Sequence, residues 1–249
     1  MIHYHGGPIT PVEAAYYAWK RGHALVSWGY QQCLEEAINN AKSFAADNSA
    51  FTKWKQGQGQ PKWEDYAAWV ADISRYPSFD QALIPDVIDG TEKQNDELVE
   101  WWMSLDVAKF GTPVWHMHED LGRLRRLVTT FHTVAIGSSG DWPNPGTDGW
   151  WGRMAEAMDV ACDDDGFPLA KLWGLRMLNP TIFSRLPLKY ADSTNVAQNV
   201  GMDTKHTGSG SCKTSAGRAF SIKENIEFHA SATRWINTGG IQRGLALWG

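Results

Sequence analysis

Short apolar runs alternate along this chain with longer stretches in which apolar residues recur every three or four positions. The short runs read as buried strands and the longer stretches as helices that pack one face. Strands are expected over residues 2–5, 23–28, 43–47, 79–86, 112–117, 132–136, 169–175 and 188–192. Helices are expected between them, over 11–20, 31–40, 62–75, 91–103, 121–130, 150–161 and 179–185. Local signals support several of these. Thr10, Pro11 and Glu13 form a capping-box pattern ahead of the first helix. Trp63, Tyr66 and Trp69 are three apart and mark one helix face, and Thr91 followed by Glu92 opens another helix. The polar, glycine-containing segment 53–61 and the Pro/Gly-rich segment 141–149 read as loops.

Eight strand–helix units in one chain predict an α/β fold, a single (β/α)8 TIM-type barrel spanning 1–249. An open doubly wound sheet is the rival, but no GxGxxG follows the first strand. After Gly201 the rhythm stops. Residues 201–249 read as a polar C-terminal extension packed on or beside the barrel, with one more helix over 222–235.

In a parallel barrel the C-terminal ends of the strands converge on one mouth. Here those ends are chemically loaded: Asp47, Asp86, His116 with His118, Gly137 with Ser138, Trp173, and Asp192 followed by Ser193, Thr194 and Asn195. Any one aspartate at a strand end also suits a turn or a helix cap. A whole set on successive strands points to a site in which carboxylates divide nucleophile and acid–base work. Phe51 and Trp173 are placed to sandwich a planar ring, with core packing the alternative for both. Gly137-Ser138-Ser139-Gly140 suits close approach of a flat ligand or an anion, without the lysine of a P-loop. His116 and His118 share a strand face, as His3 and His5 do, which keeps a metal-dependent hydrolase as an alternative.

Charge and cysteine usage narrow the setting. The net charge of −5 announces no nucleic-acid partner in bulk. A local basic tract with Lys205, Lys213, Arg218, Lys223 and Arg234 is nonetheless suited to a phosphate backbone, or to plain solvation. Cys33, Cys162 and Cys212 share no metal or disulfide spacing, which fits a reducing, cytoplasmic location. No secretion signal is read at the N-terminus, and no apolar stretch is long enough to span a membrane.

Taken together, the rim segments resemble the tRNA-guanine transglycosylase superfamily, and most closely its compact phage-type members that act on DNA. Asp47-Asn48-Ser49-Ala50-Phe51 is similar to the family's aspartate, small residues and aromatic, and Asp86 to its second aspartate. Ala135-Ile136-Gly137-Ser138 and Leu172-Trp173-Gly174-Leu175 resemble its glycine-containing strand ends. Asp192 through Gln198 resembles its nucleophile segment, with Gln198 in place of arginine. The resemblance implies exchange of guanine for a 7-deazaguanine base such as preQ0 through a covalent aspartyl intermediate, without a cofactor or metal. It implies DNA as the polymer, with RNA second, and the host cytoplasm as the setting for a phage enzyme.

It also implies roles. Asp192 is the nucleophile and Asp47 the acid–base group. Phe51 and Trp173 cover the base, Asp86 reads its amine edge, and Gly137 and Ser138 meet its carbonyl. Beside these, from their place on the rim and not from the resemblance, His116 is expected to orient Asp47 or contact the base, and His118 and Asn195 to line the pocket. Two departures stand out. The family's cysteine-rich zinc element is missing, with only Cys212 in its place, and His116-Met117-His118-Glu119 replaces a Gln-Gly-Gly strand end. Base release to water, and nucleic-acid binding without catalysis, are the remaining alternatives.

Overall fold

The structure, a computed structural model, describes residues 1–201 and 214–236. Nine strands form one sheet in which every neighbouring pair is parallel. In chain order they are β1 (Ile2–Gly6), β2 (His23–Ser27), β3 (Ser43–Asp47), β4 (Phe79–Leu83), β5 (Gly111–Thr112), β6 (Val114–His116), β7 (Thr133–Gly137), β8 (Lys171–Gly174) and β9 (Tyr190–Ser193). Across the sheet the order is β5-β4-β3-β2-β1-β9-β8-β7-β6. The two ends, β5 and β6, are consecutive in the chain and are joined by Pro113 alone, so the sheet curls into a near-closed barrel and not an open doubly wound sheet.

The expected eight strands are therefore nine, because the run 112–117 is divided at Pro113. Proline has no N–H to give to a ladder and interrupts a strand. The ladder changes partner at this point. Thr112 O accepts from Ile84 N beyond β4, at 2.9 Å, and Pro113 O accepts from Ala135 N of β7, also at 2.9 Å.

Helices cover the outside: α1 (Val12–Trp19), α2 (Leu34–Asn40), α3 (Ala50–Lys55), α4 (Trp63–Ile73), α5 (Glu92–Met103), α6 (Leu121–Thr130), α7 (Asp148–Ala161), α8 (Pro180–Phe183), α9 (Asn195–Asn199) and α10 (Ser215–Glu227). α9 is a helix that the pattern of runs does not predict, and three further expectations change. Pro11, in extended backbone, holds the cap position of α1, so Thr10 lies one residue too early and makes no cap bond. The first part of the expected loop 53–61 belongs to α3. The last helix lies over Ser215–Glu227 instead of 222–235. Thr214 caps it by accepting from Gly217 N, and Ala219, Ile222 and Ile226 bury at helical spacing against the body of the protein. Thr91 does close a full capping box with Gln94 on α5.

Two apolar layers result. Between sheet and helices lie Trp19, Trp102, Trp115 and Trp150, all fully buried, so these tryptophans are core and not cleft lining. Inside the barrel, one cluster takes Tyr4, Leu25, Ala45, Leu83, Val114, Ala135, Trp173 and Tyr190 from eight strands. Side chains on a strand alternate between faces, so the residue two positions on points the same way. From Tyr4, Leu25, Ala45, Val114, Ala135 and Tyr190 that step gives Gly6, Ser27, Asp47, His116, Gly137 and Asp192. These form the layer at the mouth, directly above a closed apolar plug. Among the described residues no helix is long and apolar enough to cross a membrane.

Candidate active site

Asp192 ends β9 on the inward face and is buried. Its Oδ2 accepts from Trp173 Nε1 at 2.8 Å, and its Oδ1 accepts from the backbone N–H of Arg176 at 3.1 Å. Burial raises the carboxyl from the ordinary 3.8 to about 7; the Arg176 N–H opposes the rise, the charge of Asp47 adds to it, and the Trp173 bond and Arg176 charge oppose it further.

Asp47 ends β3 deep in the same mouth while keeping some contact with solvent. Desolvation lifts it to about 6 against a bond from Ser49 N, with the Asp86 charge adding to the rise and a Ser27 bond opposing it. Two carboxylates in one mouth, both shifted upward by desolvation, share protons in the neutral range, which is the condition for one to act as nucleophile while the other handles a proton.

The segment after Asp47 is a tight turn. Ser49 is left-handed (φ 65°), and its Oγ lies 2.7 Å from Ser27 Oγ and accepts from Gly29 N. Asn48 uses its whole amide. Its Nδ2 donates to Ile84 O at 2.8 Å and to Asp86 Oδ1 at 2.7 Å, and its Oδ1 accepts from Ala50 N. Asp86 lies in the loop three residues beyond the observed end of β4, since the strand stops before Pro85. Its other oxygen, Oδ2, is 2.7 Å from His116 Nε2. The carboxylate is thus held between the amide and the imidazole.

His116 is inward and buried, and its Nδ1 has no partner. His118 is turned into the loops. A carbonyl can only accept, so Nε2 donates to Gly90 O at 3.0 Å and Nδ1 accepts from Ser139 Oγ at 2.8 Å. Ser138 Oγ accepts from Trp150 Nε1 at 2.9 Å, which turns this hydroxyl toward α7. Asn195 fastens the loop after β8, its Nδ2 donating to Leu178 O at 3.0 Å. Phe51, at the start of α3, is half-buried, and the Arg176 guanidinium lies over its ring at 4.5 Å.

Trp173 departs from its expected place on the rim. It belongs to the barrel plug, fully buried beside Tyr4 and Tyr190, and meets the site only through its indole N–H on Asp192. The apolar run around it shows no alternation, so the sequence does not say which face it takes. His3 and His5 also turn away from the mouth, on the strand face opposite Tyr4. His5 Nε2 lies 3.1 Å from Glu227 of α10, and His3 Nε2 lies 3.2 Å from His229 O. Among the described residues no three His, Cys, Asp or Glu side chains converge on a metal position. Of the expected basic residues, Lys205 and Lys213 lie outside the described residues. Arg218 is bonded through Nε to Val200 O at the end of α9 and through Nη2 to Ser215 Oγ.

The sequence reading missed Arg176 and Asn48. Arg176 sits two residues beyond β8 with φ 61°, and that backbone aims its N–H at Asp192 while its side chain reaches Phe51. A basic residue just past a strand end, among so many acidic ones, is the signal that marks it. No protein-family model, curated protein or solved structure matches this chain.

Proposed function

We propose that the protein is a base-exchanging pentosyltransferase that replaces guanine in DNA with a 7-deazaguanine such as preQ0. The observation that carries this reading is Asp192 itself. It is an inward carboxylate at the end of β9, fixed by two N–H donors and electrostatically coupled to Asp47. The order of the rim segments, from Asp47 through Phe51, Asp86 and Gly137 to Asp192, supports the transglycosylase resemblance.

In this reading the target nucleotide is extruded from the stack. Asp192 attacks C1′, the bond from C1′ to the base nitrogen breaks, and its electron pair leaves with guanine. Asp47, in its acid form, supplies the proton that the departing base needs. The incoming 7-deazaguanine then gives its ring proton to Asp47 and attacks C1′, and Asp192 is released. Attack requires one proton on the pair, located on Asp47. Arg176 is the cation positioned to favour ionised Asp192. Phe51 stacks on the base once Arg176 lifts from its ring, and Gly137 and Ser138 meet the base carbonyl through backbone.

The decisive experiment is intact-mass analysis of the protein incubated with a guanine-containing DNA oligonucleotide. The expected result is a covalent adduct that Asp192→Asn abolishes, together with labelled-base incorporation into DNA. Guanine release without incorporation would make water the acceptor. An Asp192→Asn protein with full exchange activity would sink the assignment.

A further inference from the structure

The expectation from sequence is that Asp86 reads the base. Its surroundings favour a different reader. Both Asp86 oxygens are engaged at 2.7 Å, one by the Asn48 amide and one by His116 Nε2. The other imidazole nitrogen, His116 Nδ1, is buried and has no partner. His116 lies in the mouth layer, two residues beyond Val114 of the barrel plug, so its ring belongs to the inward face. Across from it is Gly137, its register partner on β7. A Cβ added at Gly137 would lie 3.1 Å from Nδ1, with Val114 Cγ1 and His116 Cε1 next at 3.4 Å. Any side chain at 137 would therefore lie across the free nitrogen, and glycine leaves it uncovered. An unpaired buried imidazole nitrogen is expensive unless something fills it. A carboxylate partner puts the proton on Nε2, which leaves Nδ1 as a lone-pair acceptor.

From this, and resting on the base-exchange reading above, we infer that His116 Nδ1 accepts a hydrogen bond from a ring N–H or amine of the bound purine-type base. Asp86 is then a positioning residue, which with Asn48 fixes the tautomer and the angle of the imidazole. The site would read the donor edge of the base with a neutral acceptor instead of a carboxylate.

The test uses the full chain labelled with 15N-histidine and titrated with free guanine, with hypoxanthine, which lacks the exocyclic amine, and with 7-deazaguanine. On saturation with guanine or 7-deazaguanine the unprotonated Nδ1 resonance of His116 should move upfield, while that of His118 stays in place. His116→Ala should weaken guanine binding by about tenfold or more. Gly137→Ala keeps the imidazole but covers its nitrogen, so it should weaken guanine binding while the fold is retained. Asp86→Asn should alter the His116 tautomer signature in the free protein and raise KM for the base more than it lowers kcat. If guanine saturates the wild-type protein without moving the Nδ1 resonance, or binds His116→Ala with unchanged affinity, this assignment falls and the exchange reading stands. If neither guanine nor 7-deazaguanine binds the wild-type protein, both fall together.

Discussion

Arg176 holds Asp192 with its backbone and covers Phe51 with its side chain: its N–H lies 3.1 Å from Asp192 Oδ1, and its guanidinium carbon is 4.5 Å from the Phe51 ring centre. One residue thus joins the carboxylate to the Phe51 ring, an aromatic face expected to stack on a ligand. A ring that stacks on this face of Phe51 takes the place of the guanidinium. Arg176→Ala keeps the N–H but removes the charge that holds Asp192 down. The acid limb of the exchange rate should move to higher pH by a few tenths of a unit or more, and Arg176→Lys should restore most of it. A pH–rate profile for the two variants checks this.

The Asp47–Asp192 pair itself sets a pH optimum. With the two groups near 6 and 7, the form carrying a single proton is most abundant between those values. The kcat/KM profile should be a bell centred there, falling on the acid side as the pair takes up its second proton and on the alkaline side as the last proton leaves. A rate that keeps rising to about pH 9 would show that no acid form is needed.

Removing the charge of Asp192 should stabilise the fold, and only at high pH. The folded-state value is raised, from 3.8 to about 7, so the native state binds more protons than the unfolded chain across that window. Stability is therefore fully present below the unfolded value and is lost as pH rises through the folded one. Asp192→Asn does not titrate and escapes this loss. Its amide oxygen satisfies only one of the two N–H donors, which offsets part of the gain. Denaturant unfolding should show the variant about 1–2 kcal/mol more stable than wild type at about pH 8 and no more stable at about pH 4.

Asn48 connects the Asp47 turn to Asp86 across two strand ends. Asn48→Ala leaves Ile84 O and Asp86 Oδ1 without their donor and should cost about 2–3 kcal/mol in unfolding free energy. Asn48→Asp keeps the size but sets a third carboxylate beside Asp47 and Asp86, and should destabilise more at about pH 8 than at about pH 5. Paired unfolding curves at the two pH values separate this charge effect from a packing effect.

Trp173→Phe tests the support under Asp192. It keeps most of the aromatic volume against Tyr4 and Tyr190 and removes the indole N–H. The expected cost is about 1–2 kcal/mol of stability, with the acid limb again moved upward, because a donor to the ionised form is gone. An unchanged pH profile would show that the tryptophan is packing alone.

How much of this could be read from sequence differs residue by residue. The alternation of runs was enough to locate every strand within a few positions, because a barrel strand is bounded by polar loops that interrupt the apolar run. Asp47 and Asp192 were legible because each sits at the polar end of such a run, directly after an alanine. Pro113 lies inside the expected run 112–117, and whether a proline ends a strand, divides one or sits within it depends on the neighbours β4 and β7, which sequence does not display. The inward turn of Trp173 was hidden for a related reason: a strand buried on both faces carries no two-residue period. The contact of Asn48 with Asp86 and the reach of Arg176 to Phe51 join segments far apart in the chain, and only folding brings them together. The final helix was displaced in the reading because the polar tract before it, rich in glycine and serine, masks the cap at Thr214.

The division at Pro113 has one more effect. Nine strands joined by eight ladders leave two strands with an outer side open to pairing, and such sides are where foreign chains add on. Here they belong to β5 and β6, which are two and three residues long and joined to each other through a proline. Neither offers enough backbone in register to recruit another strand. The protein thus gains nearly all the protection against edge-to-edge aggregation that full closure would give, without a continuous ring of hydrogen bonds.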